Sequence, residues 1–197
     1  MSSRESRDAH APAGMMATAV PGPDDLAAVV IRPASLDDEA AVRAITIEAF
    51  DGVSIDQNIE RRLGPAASSL WHERKGAAVG AELRAAPEQC YVAEVDGLVI
   101  GYVTTDVSKA TSTGRIPNIG VAHPYRGRGL GSRLIEHALR CFRRRGLRLA
   151  RIETLEQNAV GQHLYQKLGF REVARQIHYA MPLASVSVFI APVAVIV

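Results

Sequence analysis

The chain has 197 residues, of which 47% are hydrophobic and 22% are charged, a composition typical of one globular domain with tails. Its formal net charge of +2 does not favour a nucleic-acid partner, and no internal apolar run reaches the roughly 20 residues of a membrane-spanning helix. Two cysteines, Cys90 and Cys141, are too few for a disulfide framework and favour a cytoplasmic location.

The two ends of the chain differ from its middle in composition. Residues 1–26 mix Ser, Arg, Ala, Pro and Gly, lack the apolar stretch of a secretory signal, and are expected to form a disordered tail. Residues 27–183 are expected to form the folded domain. Residues 184–197 are almost wholly apolar but are interrupted by Pro192, so we expect an apolar tail or an extra strand there.

The first part of the domain is predicted to be mainly helical. A short strand over Val29 to Arg32 comes first, and a helix capped by Ser35 then runs to about Phe50, because apolar residues recur at helical spacing. Two further helices are predicted over 55–63 and 66–85, with a Gly-Pro pair between them.

The pattern changes to strands at Tyr91. Two β-rich runs, 91–95 and 98–105, are joined by Asp96-Gly97, a strong signal for a two-residue hairpin. Residues 107–114 are predicted to be a polar loop, and residues 116–121 to be the next strand.

The last part of the domain alternates helices and strands. An amphipathic helix runs from Leu130 until Gly146 stops it, a strand follows over 149–155, and a helix capped by Asn158 runs to Leu168. Two closing strands are then predicted over residues 170–177 and 178–183.

This order of elements predicts an α/β (α+β) domain in which helices flank a mixed central sheet. The strand, helix and strand within 116–155 should form a right-handed parallel crossover.

The sharpest local feature is the glycine-rich turn Arg126-Gly127-Arg128-Gly129-Leu130-Gly131, which follows a strand and begins a helix. A helix N-terminus leaves about four N–H groups without intrahelical partners and attracts phosphate. Glycines let the backbone approach an anion, and the side chains of Arg126 and Arg128 add positive charge. The turn matches neither a Walker A loop nor the dinucleotide fingerprint, and an ordinary surface turn is the alternative.

The pattern Arg126-x-x-Gly129-x-Gly131 resembles the R/Q-x-x-G-x-G/A signature of the GNAT superfamily of N-acetyltransferases. A second motif follows at the distance expected for that family, with Asn158, then Leu164-Tyr165, then Leu168-Gly-Phe170. The resemblance covers about residues 29–183. It implies the GNAT-like acyl-CoA N-acyltransferase fold and acetyl-CoA as the cofactor.

The resemblance also implies how coenzyme A is held. The backbone N–H groups of residues 126–131 would bind its pyrophosphate, and the backbones of Ile119 and Val121 would pair with the pantetheine arm like an added strand. Gly120 would mark a close approach of the cofactor or a strand bulge, and an N–H near Val121 would polarise the acetyl carbonyl. Asn158 would contact the pantetheine or serve only as a helix cap.

The catalytic residues follow from the same resemblance. Tyr165 matches the tyrosine near the thiolate sulfur and is assigned as the general acid, with core packing as the alternative. Many members carry a glutamate on the strand before the turn, but Arg115 to Asn118 contain no carboxylate. The spacing of Glu153 and Asn158 is similar to that in bacterial ribosomal-protein alanine acetyltransferases. Glu153 is therefore expected to be the base, acting directly or through water, with a merely solvated strand glutamate, and water as the sole base, as the alternatives.

The predicted reaction is transfer of an acetyl group to a primary amine, with a protein N-terminus as the first candidate. A polyamine, an aminoglycoside or an amino-acid derivative is the alternative acceptor, chosen by the loops 50–70, 107–114 and 171–180. A non-catalytic acyl-CoA sensor is a competing hypothesis, and a homodimer remains open.

Two further kinds of site are weighed and ranked lower. A nucleic-acid-binding module ranks last, because it uses only a basic cluster that a solvated helix end explains, namely Arg140, Arg143, Arg144, Arg145, Arg148 and Arg151. No histidine or cysteine spacing points to a metal site.

Overall fold

The structure is a computed structural model that describes residues 23–65 and 68–183. Most of the predicted N-terminal tail and the whole C-terminal segment 184–197 lie outside the described residues. A short 3-10 turn, Pro23–Ala28, includes the last four residues assigned to the tail.

The described elements are seven strands and five α-helices. The strands are β1 Val30–Pro33, β2 Cys90–Val95, β3 Leu98–Thr104, β4 Asp106–Ser108, β5 Thr113–Ile116, β6 Ile119–Val121 and β7 Leu149–Ile152. The α-helices are α1 Glu39–Ala49, α2 Ile55–Leu63, α3 Trp71–Ala85, α4 Leu130–Arg144 and α5 Ala159–Lys167.

The strands form two sheets, where the sequence predicted one mixed sheet. The first sheet has the order β1-β2-β3-β6 and is antiparallel throughout. The second has the order β4-β5-β7, in which β5 pairs antiparallel with β4 and parallel with β7. The predicted hairpin between β2 and β3 is confirmed, since Asp96 and Gly97 both have positive φ, 50° and 76°.

The prediction of a single strand over 116–121 is wrong, because this stretch of the chain passes from one sheet to the other. β5 ends at Ile116, and β6 begins at Ile119 and pairs with β3 instead of β7. Pro117 stands at the division and has no backbone N–H with which to continue a ladder.

The polar loop predicted over 107–114 is also shorter than expected, because β4 and β5 extend into it from both sides. The second sheet is polar on its outer face, where Asp106, Ser108 and Arg115 are exposed. Its inner face carries Gly114 and Ile116 against the core. Residues that alternate in this way need only one buried face to form a strand.

Two boundaries, one in a helix and one in a later strand, differ from the prediction. Helix α3 begins at Trp71, five residues after the predicted start, because the Glu73 carboxylate accepts a hydrogen bond from the Leu70 N–H at 2.9 Å and so caps the helix there. Strand β7 ends at Ile152 and not at residue 155.

The two closing strands predicted over 170–177 and 178–183 do not form in the described chain. Residues 171–183 are exposed throughout, with Val173 95% and Tyr179 89% exposed, so only Phe170 at the start of the segment packs against the core. Its β-rich composition suggested strands, but a strand also needs a partner and a buried face.

Helices cover both faces of the first sheet. Val92 and Tyr102 face a cluster with Val42 and Ile45 of α1 and with Leu83 of α3. On the other face, a larger cluster unites α4 with both sheets through Ala93, Val103, Ile116, Leu130, Leu134, Ile135, Ala138 and Phe142. Adjacent residues of β3 thus point to opposite helix layers.

Two further expectations from the sequence concern the cysteines and membrane-spanning helices. Cys90 and Cys141 are both buried free thiols, as their number predicted. Within the described residues, no helix is long and apolar enough to cross a membrane.

Candidate active site

A cleft opens where the two sheets separate. Ile116 still pairs with Ile152 across the parallel ladder, whereas Ile119 pairs with Val103 in the other sheet. Beyond this division, β6 pairs with β3 alone among the described strands, and the segment 153–157 that follows β7 belongs to neither sheet. The cleft therefore has strand β6 as one wall and the chain leading to α5 as the other.

The hydrogen-bond register of β6 decides which of its backbone groups face this cleft. The Ala122 N–H donates to the Ile100 carbonyl at 3.0 Å, and the Thr104 N–H donates to the Asn118 carbonyl at 2.9 Å. In an antiparallel pair, positions that exchange hydrogen bonds alternate with positions that do not. Ile119 and Val121 are the positions that exchange no hydrogen bonds with β3, so their N–H and C=O groups point away from β3. This is the orientation that an added strand-like ligand requires.

Gly120 lies between these two positions and serves a different purpose. A Cβ atom here would lie 2.7 Å from Cε1 of Tyr102 and 3.0 Å from Cγ2 of Ile45. The register also turns the Gly120 amide groups toward β3. Close packing of α1 on the sheet therefore explains this glycine without a cofactor or a bulge.

The glycine-rich turn joins β6 to α4 and lies at the end of the cleft. Gly127 and Gly129 have φ of 74° and 82°, in the left-handed region where a side chain causes strain. The Arg133 N–H makes the first bond of the helix, to the Gly129 carbonyl at 3.1 Å. The amides of Leu130 and Gly131, and that of Ser132, consequently have no acceptor within the helix. Such a turn is a suitable anion site.

The charge around the turn is positive, but its two arginines differ. The first turn of α4 contains no acidic residue, and the Arg128 side chain is exposed. The Arg126 side chain instead folds back, donating from Nε to the Val121 carbonyl at 2.8 Å and lying 3.4 Å from Glu48 of α1. The Glu48 carboxylate also accepts the His123 N–H at 2.9 Å. Arg126 thus braces the turn against β6 and α1.

Helix α5 begins at the opposite wall and packs beside the turn. The Asn158 Oδ1 accepts the Gly161 N–H at 3.0 Å, and its Nδ2 donates to Thr154 Oγ1 at 2.8 Å. Asn158 is therefore the helix cap that the sequence predicted. A Cβ on Gly131 would lie 3.2 Å from Leu164, so the last glycine of the turn permits the close approach of α5 to α4.

Tyr165 lies on α5 and is largely buried. It packs against the core that contains α4, and its ring lies edge-to-face with Phe170 at a centroid distance of 6.3 Å. Burial raises the pKa of Tyr165, and a side-chain hydrogen bond with Thr154 partly offsets this rise. The phenol is consequently protonated at neutral pH and able to donate a proton.

Glu153 follows β7 directly and points to the outer, polar side of the second sheet. Its carboxylate lies 2.8 Å from Arg151, and the two side chains are 60% and 65% exposed. Together with Asp106 and Arg115, this pair lines a cavity of about 290 Å³. An exposed ion pair of this kind contributes little stability, typically below about 1 kcal/mol. Glu153 therefore remains accessible to a solute.

A polar network beside the start of β6 was missed by the sequence analysis. The Lys75 Nζ donates to Asn118 Oδ1 at 2.6 Å, and the Asn118 Nδ2 donates to Glu82 Oε2 at 2.7 Å and to Thr104 Oγ1 at 3.1 Å. Lys75 also lies 4.2 Å from the centre of the Phe50 ring. The sequence contained one signal for this network: Lys75 and Glu82 are seven residues apart and therefore lie on one face of α3.

The titration of this network reflects its partial burial. Burial lowers the pKa of Lys75, with Glu82 and Asp56 acting in the opposite direction. Burial raises the pKa of Glu82, against the effects of Lys75 and Arg115. No group of three His, Cys, Asp or Glu residues suited to a metal ion occurs in the part of the chain that the structure describes.

Comparison with known families gives a match to one described family. The acetyltransferase (GNAT) family matches residues 57–170, which is more than half of the chain.

Two curated relatives illustrate the range of similar proteins. The N-alpha-acetyltransferase MAK3 of Arabidopsis thaliana is 30% identical over 95 residues, covering 47% of this chain and 50% of that protein. A mycothiol acetyltransferase of Tsukamurella paurometabola is 36% identical over 88 residues, covering 44% of this chain and 30% of that protein. The matched part thus spans half or less of these relatives.

Solved structures share the fold at lower identity. The PaiA N-acetyltransferase from Thermoplasma acidophilum, in complex with coenzyme A, has a TM-score of 0.59 at 19% identity and covers 73% of this chain and 89% of that chain. The ribosomal-protein alanine N-acetyltransferase from Escherichia coli has a TM-score of 0.54 at 22% identity, over 74% and 79% of the two chains.

Proposed function

Because the chain belongs to the acetyltransferase (GNAT) family, we propose that it transfers the acetyl group of acetyl-CoA to a primary amine. One observation carries the proposal: the outward-facing amides of Ile119 and Val121 line a cleft that ends at the glycine-rich turn. A strand edge followed by a helix N-terminus suits a ligand with an amide-containing arm and a diphosphate, and coenzyme A has both.

The turn binds the diphosphate mainly through its backbone. The N–H groups at the start of α4, from Leu130 onward, and the left-handed conformations of Gly127 and Gly129 form a concave anion site. Arg128 adds charge from its exposed position, and Arg126 sets the separation between the turn and β6.

The pantetheine arm then runs from the turn along β6. It meets the Val121 N–H first, since the Val121 carbonyl already accepts from Arg126, and the amide groups of Ile119 next, and it pairs with them like an added strand. Asn158 and Thr154 flank it from the opposite wall, where their mutual hydrogen bond fixes both side chains. An outward N–H of β6 polarises the acetyl carbonyl as the tetrahedral oxyanion develops.

The reaction is a direct attack of the amine on the thioester. The amine lone pair forms the C–N bond, the C–S bond breaks, and the departing thiolate takes the phenolic proton of Tyr165. The raised pKa of Tyr165 keeps that proton available at neutral pH. Glu153 is the proton acceptor that the sequence predicts, and its exposure and its ion pair with Arg151 favour action through a water molecule.

The α-amine of a protein N-terminus is the first candidate acceptor. The similarity to an N-alpha-acetyltransferase and the open outer face around Glu153 support it, since an extended peptide can lie across an exposed sheet face. A small amine is the second candidate, supported by the similarity to a mycothiol acetyltransferase.

Turnover distinguishes an enzyme from a non-catalytic sensor. The full chain is incubated with acetyl-CoA and a panel of N-terminal peptides, polyamines, aminoglycosides and amino-acid derivatives, and release of free coenzyme A is followed with a thiol reagent. The proposal predicts amine-dependent release with at least one class. Saturable acetyl-CoA binding without release by any class would instead support the sensor.

A further inference from the structure

The position of the glycine-rich turn determines where the reacting end of a bound thioester lies. The turn follows the C-terminal end of β6, so an arm anchored there and paired with Val121 and then Ile119 reaches the N-terminal end of β6. The residue at that end is Asn118, at the division between the two sheets. This step rests on the proposed function.

Asn118 is held there by several contacts and is only 3% exposed. Its Oδ1 accepts a hydrogen bond from Lys75, its Nδ2 donates to Glu82 and Thr104, and its backbone N–H donates to Thr104 Oγ1 at 3.1 Å. Because Lys75 can only donate and the Glu82 carboxylate can only accept, the orientation of the Asn118 amide is fixed. The network therefore holds the Glu82 carboxylate at one place beside the start of β6.

The stretch from Arg115 to Asn118 contains no carboxylate of its own. Helix α3 brings one to it from another part of the chain, because Glu82 contacts Asn118 across 36 residues. We propose that Glu82 is a catalytic residue that accepts the proton of the attacking amine directly. Part of its side chain is exposed to solvent, so an amine can approach the carboxylate and the proton can afterwards leave.

The proton balance of this step is complete without another reactant. As the amine nitrogen bonds to the acetyl carbon, its proton passes to a Glu82 oxygen while the thiolate takes the proton of Tyr165. Glu82 then loses its proton to water, and Tyr165 regains one from water.

The surrounding charges suit a base that acts near neutral pH. Lys75 on the same helix and Arg115 on β5 face the carboxylate, and the buried Cys90 thiol of β2 and Tyr102 phenol of β3 lie within its electrostatic influence. Burial outweighs the two cations and raises the pKa of Glu82, which increases the basicity of its carboxylate. Glu153, by contrast, lies against Arg151 on the exposed face, and Glu82 takes its place here as the acceptor of the amine proton.

The test compares Glu82→Gln with Glu88→Gln, the same change at an exposed residue just beyond α3. A glutamine can still accept the Asn118 hydrogen bond, so the network and the fold are retained. The measurements are the dissociation constant of acetyl-CoA by calorimetry and kcat/KM for the best acceptor from pH 6 to pH 9.

We expect Glu82→Gln to lower kcat/KM by about 100-fold or more and to make its decline at acidic pH shallower, leaving only the part due to protonation of the amine acceptor, with acetyl-CoA affinity unchanged. Glu88→Gln should retain the parent profile, and Glu82→Asp should retain the acidic decline at a reduced rate.

Two results would overturn the assignment in different ways. A parent-like pH profile in Glu82→Gln, with a shallower acidic decline only in Glu153→Gln, would refute the role of Glu82 while leaving the proposed function intact. Binding of acetyl-CoA by the parent without turnover of any amine would refute both.

Discussion

Ile116 and Ile119 lie three positions apart in the chain but pair into different sheets, Ile116 with Ile152 and Ile119 with Val103. This separation leaves the outward edge of β6 without a neighbouring strand in the described chain and turns the amides of Ile119 and Val121 into the cleft. The site thus arises where the two sheets separate. The testable consequences concern the residues on either side of this separation.

Removal of the Tyr165 hydroxyl is predicted to slow the chemical step without weakening the binding of acetyl-CoA. Replacing Tyr165 with Phe keeps the ring that packs against Phe170 and removes only the acidic proton. We expect kcat to fall by about 100-fold or more, with little change in the dissociation constant of acetyl-CoA. Steady-state kinetics and calorimetry measure the two quantities, and Tyr179→Phe in the exposed segment is the control. Equal kcat in the Tyr165 variant and the parent would rule out the acid role.

Arg126 and Arg128 are predicted to contribute differently to the salt dependence of acetyl-CoA binding. Because its side chain contacts Val121 and Glu48, Arg126→Ala should weaken acetyl-CoA binding by disordering the turn, and the salt dependence of binding should stay as in the parent. Arg128→Ala should instead weaken binding and flatten that dependence, since salt screens exposed charges. Titrations at several potassium chloride concentrations measure both. A flattened dependence in Arg126→Ala would show that Arg126 contacts the phosphates.

Gly120 supplies a prediction about stability. An added methyl group would overlap Tyr102 and crowd Ile45, so Gly120→Ala should lower the free energy of unfolding by about 1–3 kcal/mol in the absence of any cofactor. Urea unfolding of the parent and the variant measures the difference. A variant with parent-like stability but lost acetyl-CoA binding would contradict the packing explanation and restore a close approach of the cofactor at this position.

His137 supplies a prediction about pH. Its Nε2 is buried and has no hydrogen-bond partner among the described residues, and burial, followed by Arg140 and Arg144, lowers its pKa below the usual 6.5. The unfolded chain therefore binds the proton more readily than the folded protein, so stability is lost as the pH falls through about 6.5. His137→Phe should reduce this loss, whereas His178→Phe at an exposed position should not. Parallel stability curves for His137→Phe and the parent, measured by urea unfolding, would contradict the prediction.

Local signals in the sequence predicted most elements because their physical causes are local. The Asp96-Gly97 turn requires positive φ at both positions, and Asn158 caps α5 through a contact three residues away. The glycine-rich turn likewise depends on residues adjacent in the chain. These features were recognisable before any tertiary contact was known.

The remaining features depend on contacts between distant parts of the chain. Nothing in residues 116–121 alone shows that the two ends of this stretch find different partners, since the outcome depends on β3 and β7. The contact between Asn118 and Glu82 spans 36 residues, and the folded-back position of Arg126 depends on Glu48 of α1. The expected strands in 170–183 failed for the same reason, because strand propensity does not determine whether a partner is available.

The most direct test of the account is acetyl-CoA binding by Gly129→Glu and Gly146→Glu, measured by calorimetry alongside the parent. Both glycines have positive φ, 82° and 72°, and both have open space where a side chain would begin, so the two variants bear the same strain and the same added charge. Only Gly129 lies at the N-terminus of α4, where a carboxylate would repel a diphosphate. The account predicts that Gly129→Glu loses detectable binding while Gly146→Glu retains it. Parent-like affinity in folded Gly129→Glu would contradict it.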